Sequence, residues 1–337
     1  MKRIFSAIAS LFLLGAWASH GINVGLPGLI IDTDLVTDAS DVGAIQVGIA
    51  LHKTSEIKLI GVVSNSSDLK SAACAFTILN LNGLSSIPVG AYMGNDMPST
   101  STYTSQVVTR FDPNPSDTRA NYTDATTQLR TVLAAQPNNS VIYASIGFGV
   151  NLSGLLQSAA DGISPLTGAQ LFAAKVTKLV IMGGDYPNSS GLGGGSEYNF
   201  HNSPVAWNYV FANKPGVPTY LWGFTPPNTV NIGSAQNGGA LVSPSYYAFT
   251  LEGTNQGGGV FTRPGWDAFA VLYAVRGLVS GGVTLFNVAG ANGQNSVNSS
   301  TGANTWVSTA GADSYLGKTA SDGTIQTAIN NLIASIL

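Results

Sequence analysis

Four carboxylates fall within ten residues of one another: Asp32, Asp34, Asp38 and Asp41. The chain of 337 residues carries only 17 acidic side chains, so this is a local concentration rather than background. The four follow the apolar run 28–31, which reads as a short buried strand. Beyond them Val42, Ile45 and Ile49 recur at helical spacing, with Ser40 or Asp41 placed to cap that helix. The carboxylates thus stand at the carboxyl end of a strand and face a helix N-terminus, the place where open α/β sheets bind ligands. Like charges this close repel, and a bound cation or an altered protonation state must offset them. A donor set of oxygens alone suits Ca²⁺ or Mg²⁺ better than Zn²⁺. The competing reading is a strand followed by a solvated, capped acidic loop.

The elements that must position these groups alternate along the chain. A β-branched run at 57–64 reads as a second strand ending at Asn65, residues 68–82 as a helix stopped by Asn82-Gly83, and 87–90 as a third strand. This β-α-β-α-β order predicts an α/β fold, a mostly parallel open sheet with helices on both faces. Residues 92–120 are polar and read as a surface excursion, a candidate flap over the site. A helix at 124–135 leads to a strand at 140–146 and the turn Gly147-Phe148-Gly149-Val150-Asn151-Leu152. Such a turn brings backbone groups close to a ligand, while the absence of a following Lys argues against a phosphate-binding loop. A strand at 176–182 precedes the glycine-rich 191–195 and then Glu197-Tyr198-Asn199. Ser203 with Pro204 marks a helix start. A late strand spans 218–222, Trp266-Asp267 precedes another helix that runs through Ala274, residues 289–314 read as loop, and Ile325, Ile329, Leu332 and Ile336 line one face of a C-terminal helix.

Composition narrows the class. Charged residues make up 9% of the chain and the net charge is −3, with no basic run, which argues against a nucleic-acid polymer as partner. Lys2 and Arg3 precede an apolar run that closes on Ala16-Trp17-Ala18, a small-x-small cleavage pattern. Residues 1–18 therefore read as a signal peptide and 19–337 as one catalytic domain, secreted and not membrane-anchored. Cys74 is the single cysteine, so the chain forms no internal disulfide and relies on its core. Sequons at Asn65, Asn121, Asn138, Asn151, Asn188 and Asn298 predict a glycoprotein in a eukaryotic host, with Asn65 and Asn151 too near the site to carry glycans.

Taken together, several ordered segments resemble the inosine-uridine-preferring nucleoside hydrolases, enzymes that cleave the N-glycosidic bond of ribonucleosides. Asp32-Thr33-Asp34 with Asp38 and Asp41 is similar to the family's N-terminal aspartate cluster, in the branch with longer spacing. Asn65, the turn at 147–152, Glu197-Tyr198-Asn199 and Trp266-Asp267 resemble the family's later segments in the same order. The resemblance implies Ca²⁺ held by Asp34, Asp41, Asp267 and the carbonyl of Val150, with Asp34 also the general base. It implies Asp38, Asn65, Glu197, Asn199 and Trp266 as substrate contacts, supported by Asp32. Two departures stand out: Ser40 occupies a position usually held by aspartate, and Trp266 stands where some branches have a histidine. The remaining histidines offer His201 as a weak candidate leaving-group acid and His52 as a solvated helix end.

The expected function is a Ca²⁺-dependent hydrolase releasing free base and ribose from a small nucleoside substrate, compatible with a homo-oligomer. Ser40 motivates an alternative, a catalytically weakened nucleoside- or riboside-binding protein of the same fold. A glycosidase acting on other ribosides is the third reading.

Overall fold

The computed structural model describes residues 25–36, 38–187, 196–233, 243–255 and 262–336. The expected leader, its cleavage site, His20, the Asn188 sequon and the 191–195 loop lie outside the described residues. The chain opens β1 (Gly28–Thr33), α1 (Ser40–Lys53), β2 (Lys58–Ser64), α2 (Ser71–Leu81), β3 (Val89–Ala91), α3 (Thr104–Phe111), β4 (Thr123–Asp124) and α4 (Ala125–Ala134). It continues β5 (Val141–Ser145), α5 (Val150–Gln157), α6 (Gly168–Lys175), β6 (Val176–Met182), α7 (Tyr198–Asn202), α8 (Pro204–Asn213) and β7 (Thr219–Trp222). The last part holds β8 (Asn231–Ile232), α9 (Pro244–Asn255), β9 (Arg263–Pro264), α10 (Trp266–Arg276), β10 (Val279–Ser280) and β11 (Val283–Thr284). β12 (Phe286–Val297), β13 (Asn304–Val307), β14 (Asp313–Lys318) and α11 (Asp322–Ala334) close it.

Ten of these strands form one sheet in the order β13-β12-β14-β7-β6-β5-β1-β2-β3-β4. From β4 to β7 every neighbouring pair is parallel, and β14 runs parallel to β7, whereas β12 pairs antiparallel with both β14 and β13. Central strand β1 is buried along its whole length, as a strand covered by helices on both faces must be. One apolar cluster lies under α1, α2, α3, α9, α10 and α11, and a second under α4, α5, α6 and α8. No helix among the described residues is long and apolar enough to cross a membrane.

From β1 the chain builds outward through β2, β3 and β4, then returns to β5 on the other side of β1. The order reverses there, and the crevice at the carboxyl ends of β1 and β5 is the topological switch point.

Three local expectations change in the fold. Residues 289–314 hold parts of β12 and β14 and all of β13. Their Gly- and Asn-rich sequence lacks alternation, and pairing with the sheet supplies the order that propensity does not. The excursion at 92–120 contains α3, whose Val107 and Val108 are buried beside Tyr103. Neither Ser40 nor Asp41 caps α1; the cap position belongs to Ala39, which makes no side-chain cap bond, because both predicted caps are engaged elsewhere.

Candidate active site

A cavity of about 320 Å³ opens over the switch point. Asp34, Asp38, Asp41 and Asp267 line one side, and Glu197 and Asn199 with Tyr198 line another. Ile146, Met182, Phe224, Arg263 and Trp266 complete the wall.

The acidic side is assembled from two ends of the chain. Asp34 lies just past β1 and Asp41 in the first turn of α1, while Asp267 is the second residue of α10. α1 and α10 pack against each other, and this contact brings Asp267 to the N-terminal carboxylates. Asp38, Asp41 and Asp267 each present a carboxylate oxygen within 4.8 Å of the others. Thr33 Oγ1 donates to Asp41, and Ser40 Oγ donates to Asp267. Asp38 accepts the Ser40 amide at 2.8 Å, and the buried Tyr103 hydroxyl donates to the Asp38 carbonyl at 2.9 Å. Burial, then the neighbouring charge of Asp38, pushes Asp41 up to about 7. Asp34 is raised well above the carboxylate range by burial and then by Asp41, and Asp267 by burial and then by Asp41 and Asp38. Buried, converging, hydrogen-bonded carboxylates of this kind fit a hard, oxygen-seeking cation.

Asp32 does not line the cavity. It is fully buried and accepts from Asn65 Nδ2, Asn151 Nδ2 and the Tyr143 hydroxyl, each at 2.9 Å. Burial outweighs these bonds and raises its pKa to about 7. Asn65 also accepts the Phe148 amide at 2.9 Å, so it pins the turn after β5 rather than lining the cavity. Both Asn65 and Asn151 are buried and bonded, and their sequons are closed to glycosylation in the folded chain. Asn121, Asn138 and Asn298 are exposed.

Val150 does not line the acidic cavity. It is the first residue of α5, where its carbonyl serves the helix ladder, and its side faces a separate cavity with Tyr92 and Asp96. Ile146, directly after β5, is the residue of that segment that lines the acidic cavity. The junction between a strand and Gly147 was the signal available in the sequence for it. A Cβ on Gly147 would stand 2.6 Å from both Asn65 Oδ1 and the Asp34 amide. Gly147→Ala is expected to destabilise the fold by about 1–3 kcal/mol through this overpacking, read as a lower denaturation midpoint in urea.

On the opposite side Glu197 caps the short α7. Its carboxylate accepts the amides of Asn199 at 2.8 Å, Phe200 at 3.1 Å and Gly184 at 3.0 Å, and burial raises its pKa to about 7. Asn199 Nδ2 donates to the Met182 carbonyl at 3.1 Å, which ties α7 to the end of β6. Ser203 stands at the start of α8, but its hydroxyl accepts the Gly149 amide and donates to the Asn199 carbonyl instead of capping. Trp266 stacks on Phe224 with ring centroids 5.4 Å apart at 24°, and its Nε1 donates to the Phe224 carbonyl. The Arg263 guanidinium lies over Trp266, 5.4 Å from the ring centroid. His201 is exposed, bonded to Ser196 Oγ and absent from the cavity wall, and His52 accepts the Leu59 amide at the end of α1.

Residues 29–319 match the model of the inosine-uridine preferring nucleoside hydrolases. No curated protein sequence matches significantly. Among solved structures the fold is similar to a plant nucleoside hydrolase, with TM-score 0.65 and 17% identity over 92% of this chain and 98% of that one. It is similar to a purine-preferring ribonucleoside hydrolase from Gardnerella vaginalis, with TM-score 0.67 and 15% identity over 92% and 98% of the two chains. It also resembles an inosine-guanosine nucleoside hydrolase, with TM-score 0.62 and 17% identity over 91% and 98%. With the family model spanning most of the sequence and the acidic cavity at its switch point, the chain belongs to the inosine-uridine preferring nucleoside hydrolase family.

Proposed function

We propose that this hydrolase acts, as a secreted single-domain protein, on ribonucleosides with Ca²⁺ as its ion, releasing free base and ribose. The observation that carries the reading is the convergence of Asp267 with Asp38 and Asp41 over the switch point. These three carboxylates, with Asp34 beside them, would hold the ion. When bound, Ca²⁺ supplies the positive charge that offsets the carboxylates and engages ribose hydroxyls.

The chain's own groups do the rest. Asp34 takes a proton from the attacking water as general base, and the water oxygen forms its bond to C1′ while the C1′–N bond breaks, its electron pair leaving on the base, which takes up a proton from solvent. Positive charge builds on the ribose ring in that transition state, and the surrounding carboxylates favour it. Glu197 and Asn199 hold ribose hydroxyls, turning binding into position. The Trp266–Phe224 pair offers an aromatic wall to the departing base. Ser40 does not leave a gap in this scheme: its hydroxyl is spent on Asp267, and Asp38 supplies the carboxylate.

The test is direct. Purified protein with Ca²⁺ is expected to release reducing sugar from inosine, uridine or adenosine, and excess chelator is expected to stop it. No ribose from any of the three, in folded protein with Ca²⁺ present, refutes the reading.

A further inference from the structure

Glu252 has no part in the scheme above, yet it is buried on α9 beside the acidic cavity. One of its carboxylate oxygens accepts the amide of Ala39, between Asp38 and Ser40. The other lies 2.7 Å from Arg263 Nε. Arg263 belongs to β9, three residues before Trp266 and four before Asp267. A single side chain therefore joins the early segment that carries Asp38 and Asp41 to the late segment that carries Asp267.

The Ala39 amide needs this partner. Ala39 is fully buried at the cap position of α1 and has no side chain able to satisfy a helix-start donor. Left unpaired, that N–H keeps its full desolvation cost, and the backbone between Asp38 and Asp41 gains a reason to move. A further acidic group beside Asp38 and Asp41 is costly, and the Arg263 guanidinium beside it partly offsets that cost. The same guanidinium reaches to 3.9 Å from Asp38 Oδ2 and lies over the Trp266 ring.

We propose that Glu252 is a positioning residue: bonded to the Ala39 amide and paired with Arg263, it fixes Asp38 and Asp41 against Asp267 so that the three converge on one ion. This rests on the functional reading given above. Glu252 touches neither substrate nor ion in this role; it sets the geometry of the groups that do.

Calorimetric titration of the purified full-length protein with Ca²⁺ is the test, paired with kcat and KM for the best nucleoside at saturating Ca²⁺. Glu252→Ala is expected to weaken Ca²⁺ binding about tenfold or more, as loss of a side chain that orients metal ligands does. Its kcat should fall while KM stays near wild type, because Glu197 and Asn199 are untouched. Glu252→Gln keeps an oxygen for the Ala39 amide and loses only the charge, so its Ca²⁺ affinity should lie between the two. If Glu252→Ala does not fold, that intermediate loss in Glu252→Gln supports the role, and wild-type affinity in Glu252→Gln overturns it. Folded variants with wild-type affinity and kcat overturn the role of Glu252 alone, provided the wild type binds Ca²⁺ and cleaves nucleosides. A wild type that does neither overturns this role and the functional reading together.

Discussion

Asp34→Asn is expected to lower kcat for nucleoside cleavage by about 10³-fold at saturating Ca²⁺, within the range for removal of a general base. The substitution keeps the shape of the side chain and one oxygen but takes away the proton acceptor. Asp34 lies at the end of the first strand, in contact with Asp41, and lines the cavity opposite Glu197 and Asn199. Its carboxyl is raised by burial and by the charges of Asp41 and Asp267, so positive charge entering the cluster favours its ionised form. Deprotonation of the base and occupancy of the ion site are thereby linked. KM should change much less than kcat, because Glu197 and Asn199 across the cavity, the proposed ribose contacts, are intact. Steady-state kinetics on the variant decide the matter: a kcat within tenfold of wild type would remove Asp34 from the role of base.

The second large effect expected is a pH-dependent stabilisation by Ca²⁺. Burial raises Asp32, Asp41 and Glu197 to about 7 and Glu252 to about 8, while the unfolded chain titrates near 4. The folded ion-free protein therefore holds protons that the unfolded chain has released. Stability from these groups is complete below about pH 4 and is lost as pH rises through 7 to 8. If mutual relief leaves the equivalent of about three pKa units, the loss is ~4 kcal/mol. At ~2–4 °C per kcal/mol, that lowers the melting temperature by about 10 °C between pH 4 and pH 8. Ca²⁺ at ~1,000 times its Kd would return ~4 kcal/mol to the folded state, and only where Asp41 and the carboxylates that share the ion with it are ionised. Thermal melts should show a Ca²⁺ shift of about 10 °C at pH 8 and little at pH 5. Equal shifts at the two pH values would separate ion binding from these carboxylates.

The parallel sheet was legible because its strands are short apolar runs and its helices repeat at helical spacing between them. Strand β1 and helix α1, with aspartates at their junction, follow from local pattern alone. So does the presence of α10, although the helix starts at Trp266 itself rather than after Asp267. The antiparallel β12 and β13 did not follow, since their polar sequence carries no alternating signal and their order comes from neighbours in the sheet. The partners of Ser40 and Ala39 were equally hidden. Ser40 Oγ bonds to a residue 227 positions away and the Ala39 amide to one 213 positions away. Local spacing suggested a cap for Ser40, and a distant carboxylate claimed its hydroxyl.

Sequence by itself determined the chemical inventory: four early aspartates, a Glu-Tyr-Asn segment, a late Trp-Asp pair and the alternating strands and helices that place such groups at strand ends. Only the tertiary structure decided which of them meet. It turned Asp38, Asp41 and Asp267 toward one point, sent Asp32 and Asn65 into a buried network, put Ile146 rather than Val150 on the cavity wall, and set Glu252 and Arg263 between the two halves. The reason is physical: residue types and short-range periodicity fix what each segment can form, whereas side-chain partners hundreds of residues apart are chosen by the packing of helices across the sheet.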